Sequence, residues 1–177
     1  MARVELIEPL NAPVEVQNIY EHRLRGRPMN VHKAMAHLPL ALTPFLAFYA
    51  AVGRTLSPRI YELVYLRVSM LNRCNYCTQH HRASSKRAGL TSADWEALKD
   101  PQASSFSDSE KRVLAYAEKL TRSPWEIGDD DVARLKPEFS DAQIVDLNML
   151  VGLANFTNRF TDPLGLEVEQ VVKAAAE

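Results

Sequence analysis

The sequence predicts an all-α fold, a helical bundle in a single domain spanning residues 1–177. Apolar residues recur at three- and four-residue spacing, which is the periodicity of one helix face. Several segments begin with Ser or Thr followed three positions later by an acid or amide, the pattern of a helix start. Sustained alternation of apolar and polar residues is absent apart from the short segment 4–8, so strands are not expected.

The N-terminal third is rich in proline, and we expect it to wrap the core as a less regular segment. It includes residues 34–53, which carry no formal charge and resemble a membrane span in composition. His37, Pro39, Thr43 and Pro44 interrupt that stretch. A buried helix or a contact between subunits is therefore the better interpretation.

The later helices have recognisable first residues. Ser57–Pro58 is typical of an N-cap followed by proline in the first turn, and the helix it begins should run to Leu71. Capping boxes predict helices after Thr91, Ser107 and Ser140, the last spanning Ala142 to about Phe160.

Residues 128–131 combine a glycine with three aspartates and predict a turn followed by a short helix. Acids in the first turn interact favourably with the positive end of the helix dipole. We interpret them as capping residues and not as a metal site, since no suitable ligand loop follows.

Composition and charge exclude some classes of function. A net charge of -1 gives no global field to attract nucleic acid or an anionic membrane. The first nine residues contain two glutamates and no apolar run, so a signal peptide is not expected. We therefore expect a cytoplasmic protein in a reducing compartment, where a free thiol pair can cycle between oxidation states.

The two cysteines of the chain form one CxxC motif, Cys74 and Cys77, with His81 one turn further on. At about 100° per residue, a helix places Cys74 and His81 almost in line and Cys77 about 60° to one side. His80 lies on the neighbouring stripe and cannot easily share that face. A CxxC pair in a chain with no other cysteine indicates redox chemistry or metal ligation, and a helix N-terminus would favour the thiolate.

Glu62 lies twelve residues before Cys74 and would point away from it on one continuous helix. It reaches the same site only if the chain bends between Leu71 and Cys74, where Asn72 makes a bend plausible. Glu62 could then hold His81 in one tautomer and support it as a proton acceptor.

Simpler interpretations stand beside this one. The cysteines could be two small buried residues, and Glu62 could form a salt bridge with Arg59 or Arg67 on its own helix. A structural zinc site is also chemically reasonable, with the two cysteines, His81 and Glu62 as its ligands.

The full spacing from Glu62 through Cys74 and Cys77 to His81 resembles the signature of the alkylhydroperoxidase D-like (AhpD-like) proteins of the carboxymuconolactone decarboxylase superfamily. Segment 61–90 is similar to the core of that family. Segments 106–121 and 155–160 resemble its peroxidase-related branch. The resemblance covers about residues 40–165.

The resemblance implies an all-helical fold and a thiol-dependent peroxidase with an antioxidant role. Cys77 would attack hydrogen peroxide or an organic hydroperoxide and become a sulfenic acid, and Cys74 would resolve it to a disulfide. His81 and Glu62 would relay the proton. Tyr76 stands where well-studied members carry a histidine, and a tyrosine cannot act as a base at neutral pH.

The resemblance also implies partners. A lipoyl-type dithiol or a thioredoxin-like protein would reduce the disulfide, and no metal, haem or flavin cofactor is needed. The family forms homo-oligomers, often trimers or hexamers, and the uncharged stretch from Leu38 to Val52 suits a subunit interface.

Two alternative functions remain open at the level of sequence. One is a decarboxylase of the carboxymuconolactone type, although decarboxylases of the superfamily generally work without the CxxC motif. The other is not an enzyme: a thiol redox sensor or a metal-stabilised assembly protein.

Overall fold

The computed structural model describes residues 1–100 and 102–169, and within them the regular secondary structure is helical, without a β-strand. This confirms the all-α prediction. The described α-helices are α1 (Val14–Leu24), α2 (Asn30–Met35), α3 (Pro39–Ala51), α4 (Pro58–Leu71), α5 (Asn75–Arg87), α6 (Ser92–Ala97), α7 (Asp108–Arg122), α8 (Asp129–Ala133) and α9 (Asp141–Thr161). No helix among the described residues combines the length and apolarity needed to cross a membrane.

Contacts along the chain define two compact units. Among the described residues, the first comprises Met1–Phe48 with residues 163–169, and the second comprises Tyr49–Asp162. The assignment of one domain to residues 1–177 stays a prediction.

The first unit is more regular than its proline content suggests. It contains α1, α2 and most of α3, preceded by a 3₁₀ turn over Pro9–Asn11. Pro44 lies inside α3, and Leu42 is the residue of that helix that is fully buried. Leu38 and Leu40, at its start, are exposed.

The second unit is organised around α4, which packs against α5, α7 and α9. Its apolar face carries Leu63 and Leu66, both fully buried. They join Leu98, Phe106 and Leu114 in one hydrophobic cluster. Because α4 is covered on several sides, any polar residue on it must find a partner inside the unit.

The predicted helix starts of the second unit are confirmed. Ser57 accepts a hydrogen bond from the Ile60 amide. Capping boxes form at Thr91, Ser107 and Ser140. The long C-terminal helix begins one residue before the predicted position. Asp131 caps the amide of Gly128 and pairs with Lys119, as expected for a capping residue.

Candidate thiol redox site

The bend predicted between Leu71 and Cys74 is present and brings α4 and α5 against each other. Asn72 ends α4, and Arg73 adopts the left-handed conformation with φ of 58°. Cys74 then becomes the N-cap of α5. The Asn72 side chain fixes the turn by donating hydrogen bonds of 2.9 Å to Asn155 and Asn158 of α9.

The two thiols lie together in the interior. Cys74 and Cys77 are both free, and are only 1% and 4% exposed. Their Sγ atoms are 2.6 Å apart. The Thr161 hydroxyl lies 3.2 Å from the Cys74 sulfur and 3.4 Å from the Cys77 sulfur. The backbone N–H of Cys77 donates to the Cys74 sulfur across 3.2 Å, which is the N-cap contact of α5.

This arrangement makes the first ionisation of the pair easy and the second difficult. The hydrogen bond between the two thiols is the main cause that lowers the pKa of Cys74 to about 6. Burial and the charge of Asp162 oppose that shift, while Thr161 and the Cys77 amide support it. The pKa of Cys77 is raised well above its usual range, first by the hydrogen bond with Cys74 and then by burial. The thiols therefore titrate as one pair that holds one negative charge near neutral pH.

Glu62 and His81 meet across the bend as predicted. The Nδ1 atom of His81 lies 2.9 Å from Oε2 of Glu62, and both residues are buried. A carboxylate in this position accepts the Nδ1 proton and leaves Nε2 as the acceptor nitrogen of the neutral ring.

The salt bridges considered for Glu62 go to other residues. Arg59 instead pairs with Asp94 on α6 and Glu110 on α7, and Arg67 pairs with Glu118 on α7. Glu62 is thus the acid of α4 that turns toward α5.

Three tyrosines surround His81, and the sequence analysis did not assign them to the site. The Tyr65 ring stacks on the imidazole with centroids 3.8 Å apart. The Tyr49 hydroxyl lies 3.4 Å from Nε2 of His81. Tyr61 stacks more distantly on both rings. The sequence could have indicated two of these tyrosines as site residues. Tyr61 precedes Glu62 by one residue and Tyr65 follows it by three on the same helix.

An open cleft of about 450 Å³ lies on the Glu62 side of the site. Glu62 and Tyr61 line it, together with two exposed arginines, Arg54 and Arg87. The buried Asp146 holds the neighbouring loop by accepting hydrogen bonds from Gly53 and Thr55. A Cβ atom on Gly53 would lie 2.2 Å from the Tyr61 ring, so this loop packs tightly on the tyrosine.

The remaining sequence candidates lie elsewhere or do something else. Tyr76 stands between the two cysteines in the sequence. Its side chain is buried and packs on His80, with ring centroids 4.3 Å apart. Over the described residues, no group of three or more His, Cys, Asp or Glu side chains is arranged to hold a metal ion.

Solved structures share this fold. An AhpD core protein from Ralstonia eutropha JMP134, described as peroxidase-related, matches with a TM-score of 0.82 and 20% identity over 95% of this chain and 92% of that one. A peroxidase-related protein from Silicibacter sp. TM1040 matches with a TM-score of 0.81 and 27% identity over 95% and 92%. The debrominase Bmp8, solved with 2,3,4-tribromopyrrole, matches with a TM-score of 0.74 and 17% identity over 96% and 94%.

Among curated proteins, YnjA of Escherichia coli strain K12, which is uncharacterised, is 28% identical over 120 residues. The aligned part spans 64% of this chain and 63% of YnjA, so it covers less than two thirds of that relative.

The helical fold matches that of the AhpD core structure, and within it the CxxC pair shares a bend with the Glu62–His81 pair. Residues 39–119 match the model of the carboxymuconolactone decarboxylase family. The predicted resemblance to this family is confirmed over that segment.

Proposed function

We propose that this protein is a thiol-dependent peroxidase that reduces hydrogen peroxide or organic hydroperoxides through Cys74 and Cys77. The observation that carries the proposal is the pair of buried thiols in contact with each other, in which the pKa of Cys74 is lowered. The same helix places His81 in hydrogen-bond contact with Glu62. A thiolate at neutral pH is the species that attacks a peroxide O–O bond. The fold alone does not select the reaction, because peroxidase-related proteins and a debrominase share it.

In the proposed cycle the Cys77 sulfur attacks one peroxide oxygen and the O–O bond breaks. The leaving alkoxide or hydroxide takes a proton from the His81 side of the site and departs as alcohol or water. Cys77 is then a sulfenic acid. Cys74 attacks its sulfur, water leaves, and a Cys74–Cys77 disulfide forms.

An external dithiol restores the reduced pair by two exchange steps and is itself oxidised to a disulfide. A lipoyl-type dithiol or a thioredoxin-like protein has the required chemistry. The cycle consumes one peroxide and one dithiol in each turn, and no metal or organic cofactor takes part.

The assignment of attack to Cys77 rests on its position relative to the base. His81 follows Cys77 by four residues, so the two side chains lie one above the other on α5. In the resting pair we place the negative charge on Cys74, because the hydrogen bond between the two thiols lowers the pKa of Cys74 and raises that of Cys77. Attack by Cys77 therefore requires its proton to leave toward Cys74 or toward His81.

Assembly into a homo-oligomer, a trimer or hexamer, is part of the proposal. Leu38, Leu40 and Phe48 on and beside α3 are exposed apolar side chains, and such residues are typical of subunit interfaces. Size-exclusion chromatography with light scattering measures the state directly. A monomer of 20.0 kDa at every concentration would contradict this part.

Stopped-flow peroxide consumption with dihydrolipoamide as the reductant tests the function. Wild-type protein should turn over, Cys77→Ser should lose the reaction, and Cys74→Ser should reduce about one equivalent of peroxide rapidly before it slows. The conservative His80→Gln change, on the stripe of α5 next to that of His81, serves as a control and should keep wild-type turnover. Undiminished turnover in Cys77→Ser would refute the assigned attack, and absence of turnover in the wild type would refute the peroxidase.

A further inference from the structure

The open cleft beside Glu62 carries two arginines that the proposed cycle leaves without a role. Its lining comes from the loop before α4, the first turns of α4 and the last turns of α5, all within the second unit. The volume of about 450 Å³ falls in the range of roughly 300–1,000 Å³ that is usual for small-molecule sites. The cleft is therefore large enough for a small organic molecule.

The two arginines, Arg54 and Arg87, are exposed. Among the residues that the structure describes, no side chain forms an ion pair or a hydrogen bond with either of them. By contrast, Arg59 on α4 pairs with acids of α6 and α7. The cleft lining also contains the carboxylate of Glu62, which is hydrogen-bonded to His81. The lining thus presents two cations and a carboxylate that already has a partner.

The backbone that carries Arg54 is fixed on both sides of that residue. The amides of Gly53 and Thr55 donate hydrogen bonds of 2.6 Å and 2.9 Å to the buried carboxylate of Asp146. Gly53 has φ of 82° and packs directly on the Tyr61 ring, where a Cβ atom would clash. Arg54 is thus presented from a loop that does not need to become ordered when a ligand binds, which keeps the entropic cost of binding low.

The α5 side of the cleft connects Arg87 with the buried pair of Glu62 and His81. Ser84 and Ala88 follow His81 by three and seven residues, so they share its face of the helix. Arg87 is the last residue of α5 and lies six residues, or about 9 Å along the helix axis, beyond His81. The cleft thus has a cation at its outer part and a buried carboxylate at its inner part.

This distribution of charge suits a ligand with one acidic end. A guanidinium group donates two parallel hydrogen bonds to a carboxylate, which makes arginine a selective partner for that group. The Glu62 carboxylate repels a second anion, so the acidic end of a ligand points away from it and toward the arginines. Leu56 and Pro58 add apolar surface to the lining, which fits a hydrocarbon body.

We propose that the cleft binds organic hydroperoxides that carry a carboxylate, and that Arg54 and Arg87 hold this carboxylate. The inference rests on the proposed peroxidase activity and names the substrate class of that site. In this orientation the uncharged hydroperoxide end lies toward Glu62 and His81, which supply the proton to the leaving oxygen. The arginines contribute to binding alone, so their loss should raise the KM of an acidic substrate and leave kcat unchanged.

The first test measures binding without peroxide, by isothermal titration calorimetry with 4-isopropylbenzoate and its uncharged analogue 4-isopropylbenzamide. The reduced wild type should bind the acid at least about tenfold more tightly than the amide, because hydrogen bonds to a charged group are the stronger ones. Arg54→Gln and Arg87→Gln should each reduce this preference by at least about threefold. The matched control is Arg134→Gln, which removes the same charge from an exposed position after α8, outside the cleft, and it should keep the preference.

The second test measures KM and kcat by stopped flow with three peroxides: the hydroperoxide of 4-isopropylbenzoate, its methyl ester, and hydrogen peroxide. Arg54→Gln and Arg87→Gln should each raise the KM of the acid at least about threefold with kcat unchanged, since the arginines bind the carboxylate and not the reacting oxygens. The methyl ester and hydrogen peroxide should react as in the wild type. A purely structural role of the arginines would instead alter the kinetics of all three peroxides equally, and that result would overturn the proposal.

The two tests separate failure of the cleft from failure of the peroxidase. A wild type that prefers the benzoate to the amide but reduces none of the three peroxides refutes the peroxidase and keeps the carboxylate site. Equal binding of benzoate and amide by the wild type, or an undiminished preference in both arginine variants, overturns the carboxylate site even if peroxide is reduced.

A carboxylate can also arrive on the reductant, and a further comparison distinguishes that source. Dihydrolipoate carries a carboxylate, whereas dihydrolipoamide does not. If the arginines hold the substrate, Arg54→Gln and Arg87→Gln should leave the ratio of turnover with these two reductants at its wild-type value. A rise in the KM of dihydrolipoate alone, with an unchanged KM of the acidic hydroperoxide, would assign the cleft to the reductant and overturn its assignment to the substrate.

Discussion

The thiol end and the histidine end of the site are built in different ways. The thiol end is built mainly from one short segment, because Cys74 and Cys77 lie at the first turn of α5. Thr161, from α9, bonds to both sulfurs. The histidine end is assembled from three helices, with Tyr49 from α3, Glu62 and Tyr65 from α4, and His81 from α5. A four-residue motif is thus enough to make a thiol pair, whereas a base with a defined tautomer requires packing between helices.

The two ends also control charge differently. At the thiol end, the hydrogen bonds of the Cys74 sulfur with the Cys77 thiol, Thr161 and the Cys77 amide ease the first ionisation. At the histidine end, a buried carboxylate orients the imidazole and neutral phenols surround it. If the account is right, changes at the histidine end alter proton transfer, and changes at the thiol end alter the ionisation of the sulfur itself.

Removal of the base should have the largest effect. His81→Gln removes the proton acceptor, and we expect peroxide reduction to fall by about 10²–10⁴, the usual contribution of general acid–base catalysis. The control is His80→Gln, one residue away and off the site face of α5. Equal losses of peroxide reduction in the two variants, measured by stopped flow, would contradict the assignment of the base to His81.

Removal of the Arg59 side chain, which pairs with Asp94 and Glu110, should lower the stability of the fold without changing the reactivity of the thiols. Hydrogen bonding to Arg59 is the main cause that holds the pKa of Asp94 down to about 2, although burial opposes the shift. Arg59→Met leaves Asp94 and Glu110 without their cation, at a cost of about 2–4 kcal/mol in the free energy of unfolding.

Urea denaturation measures that loss, and iodoacetamide alkylation under native conditions measures the thiols. We expect a lower denaturation midpoint with an unchanged alkylation profile. A changed profile would mean that the thiol end depends on the wider packing of α4 and is less local than its geometry suggests.

The thiol pair should make stability depend on pH in a defined window. The folded-state pKa of Cys74, about 6, lies below the value near 8.5 of an unfolded cysteine. Its stabilising contribution is therefore present above about pH 8.5 and is lost as the pH falls through 6. The raised pKa of Cys77 acts in the opposite sense, so the pair should lose stabilising effect again as the medium becomes strongly alkaline.

The measurement compares the unfolding free energy of the wild type with that of Cys74→Ser/Cys77→Ser under reducing conditions. The difference should grow from about pH 6 to about pH 8.5 and then decline. A difference that does not vary with pH would contradict the shared charge of the pair.

The smallest effect is expected from the side chain that bonds to both sulfurs. Thr161→Val keeps the shape of the residue and removes the hydroxyl, so the apparent pKa of the first ionisation should rise by about half a unit to one unit. Alkylation against pH measures it. A larger shift from Tyr65→Phe than from Thr161→Val in the two-cysteine protein would show that the histidine end dominates sulfur ionisation as well.

Much of the fold was predictable because its signals are local. The N-cap of α4 at Ser57 and the capping boxes of α6, α7 and α9 depend on residues three positions apart, and each is present. The bend at Asn72 was predictable from the need to bring Glu62 to His81. The N-terminal helices were underestimated, because proline at a helix start, such as Pro39 in α3, reads in sequence like a break.

The parts of the site that the sequence did not predict depend on contacts between residues that are far apart in the chain. Tyr49 and His81 are separated by 32 positions, and the Tyr65 hydroxyl finds Thr157 across 92. No periodicity within one helix reports such pairs. Arg59 forms its ion pairs with Asp94 and Glu110 and not with Glu62, which instead bonds to His81. These pairings likewise depend on where α6 and α7 pack.

The most direct test of the central claim is to find which sulfur becomes oxidised first. One equivalent of hydrogen peroxide is added to reduced protein in the presence of dimedone, and the modified peptide is identified by mass spectrometry. The account predicts a dimedone adduct on Cys77 in Cys74→Ser and a Cys74–Cys77 disulfide in the wild type. An adduct on Cys74 in Cys77→Ser with none on Cys77 in Cys74→Ser, or no oxidation of either sulfur by peroxide, would contradict it.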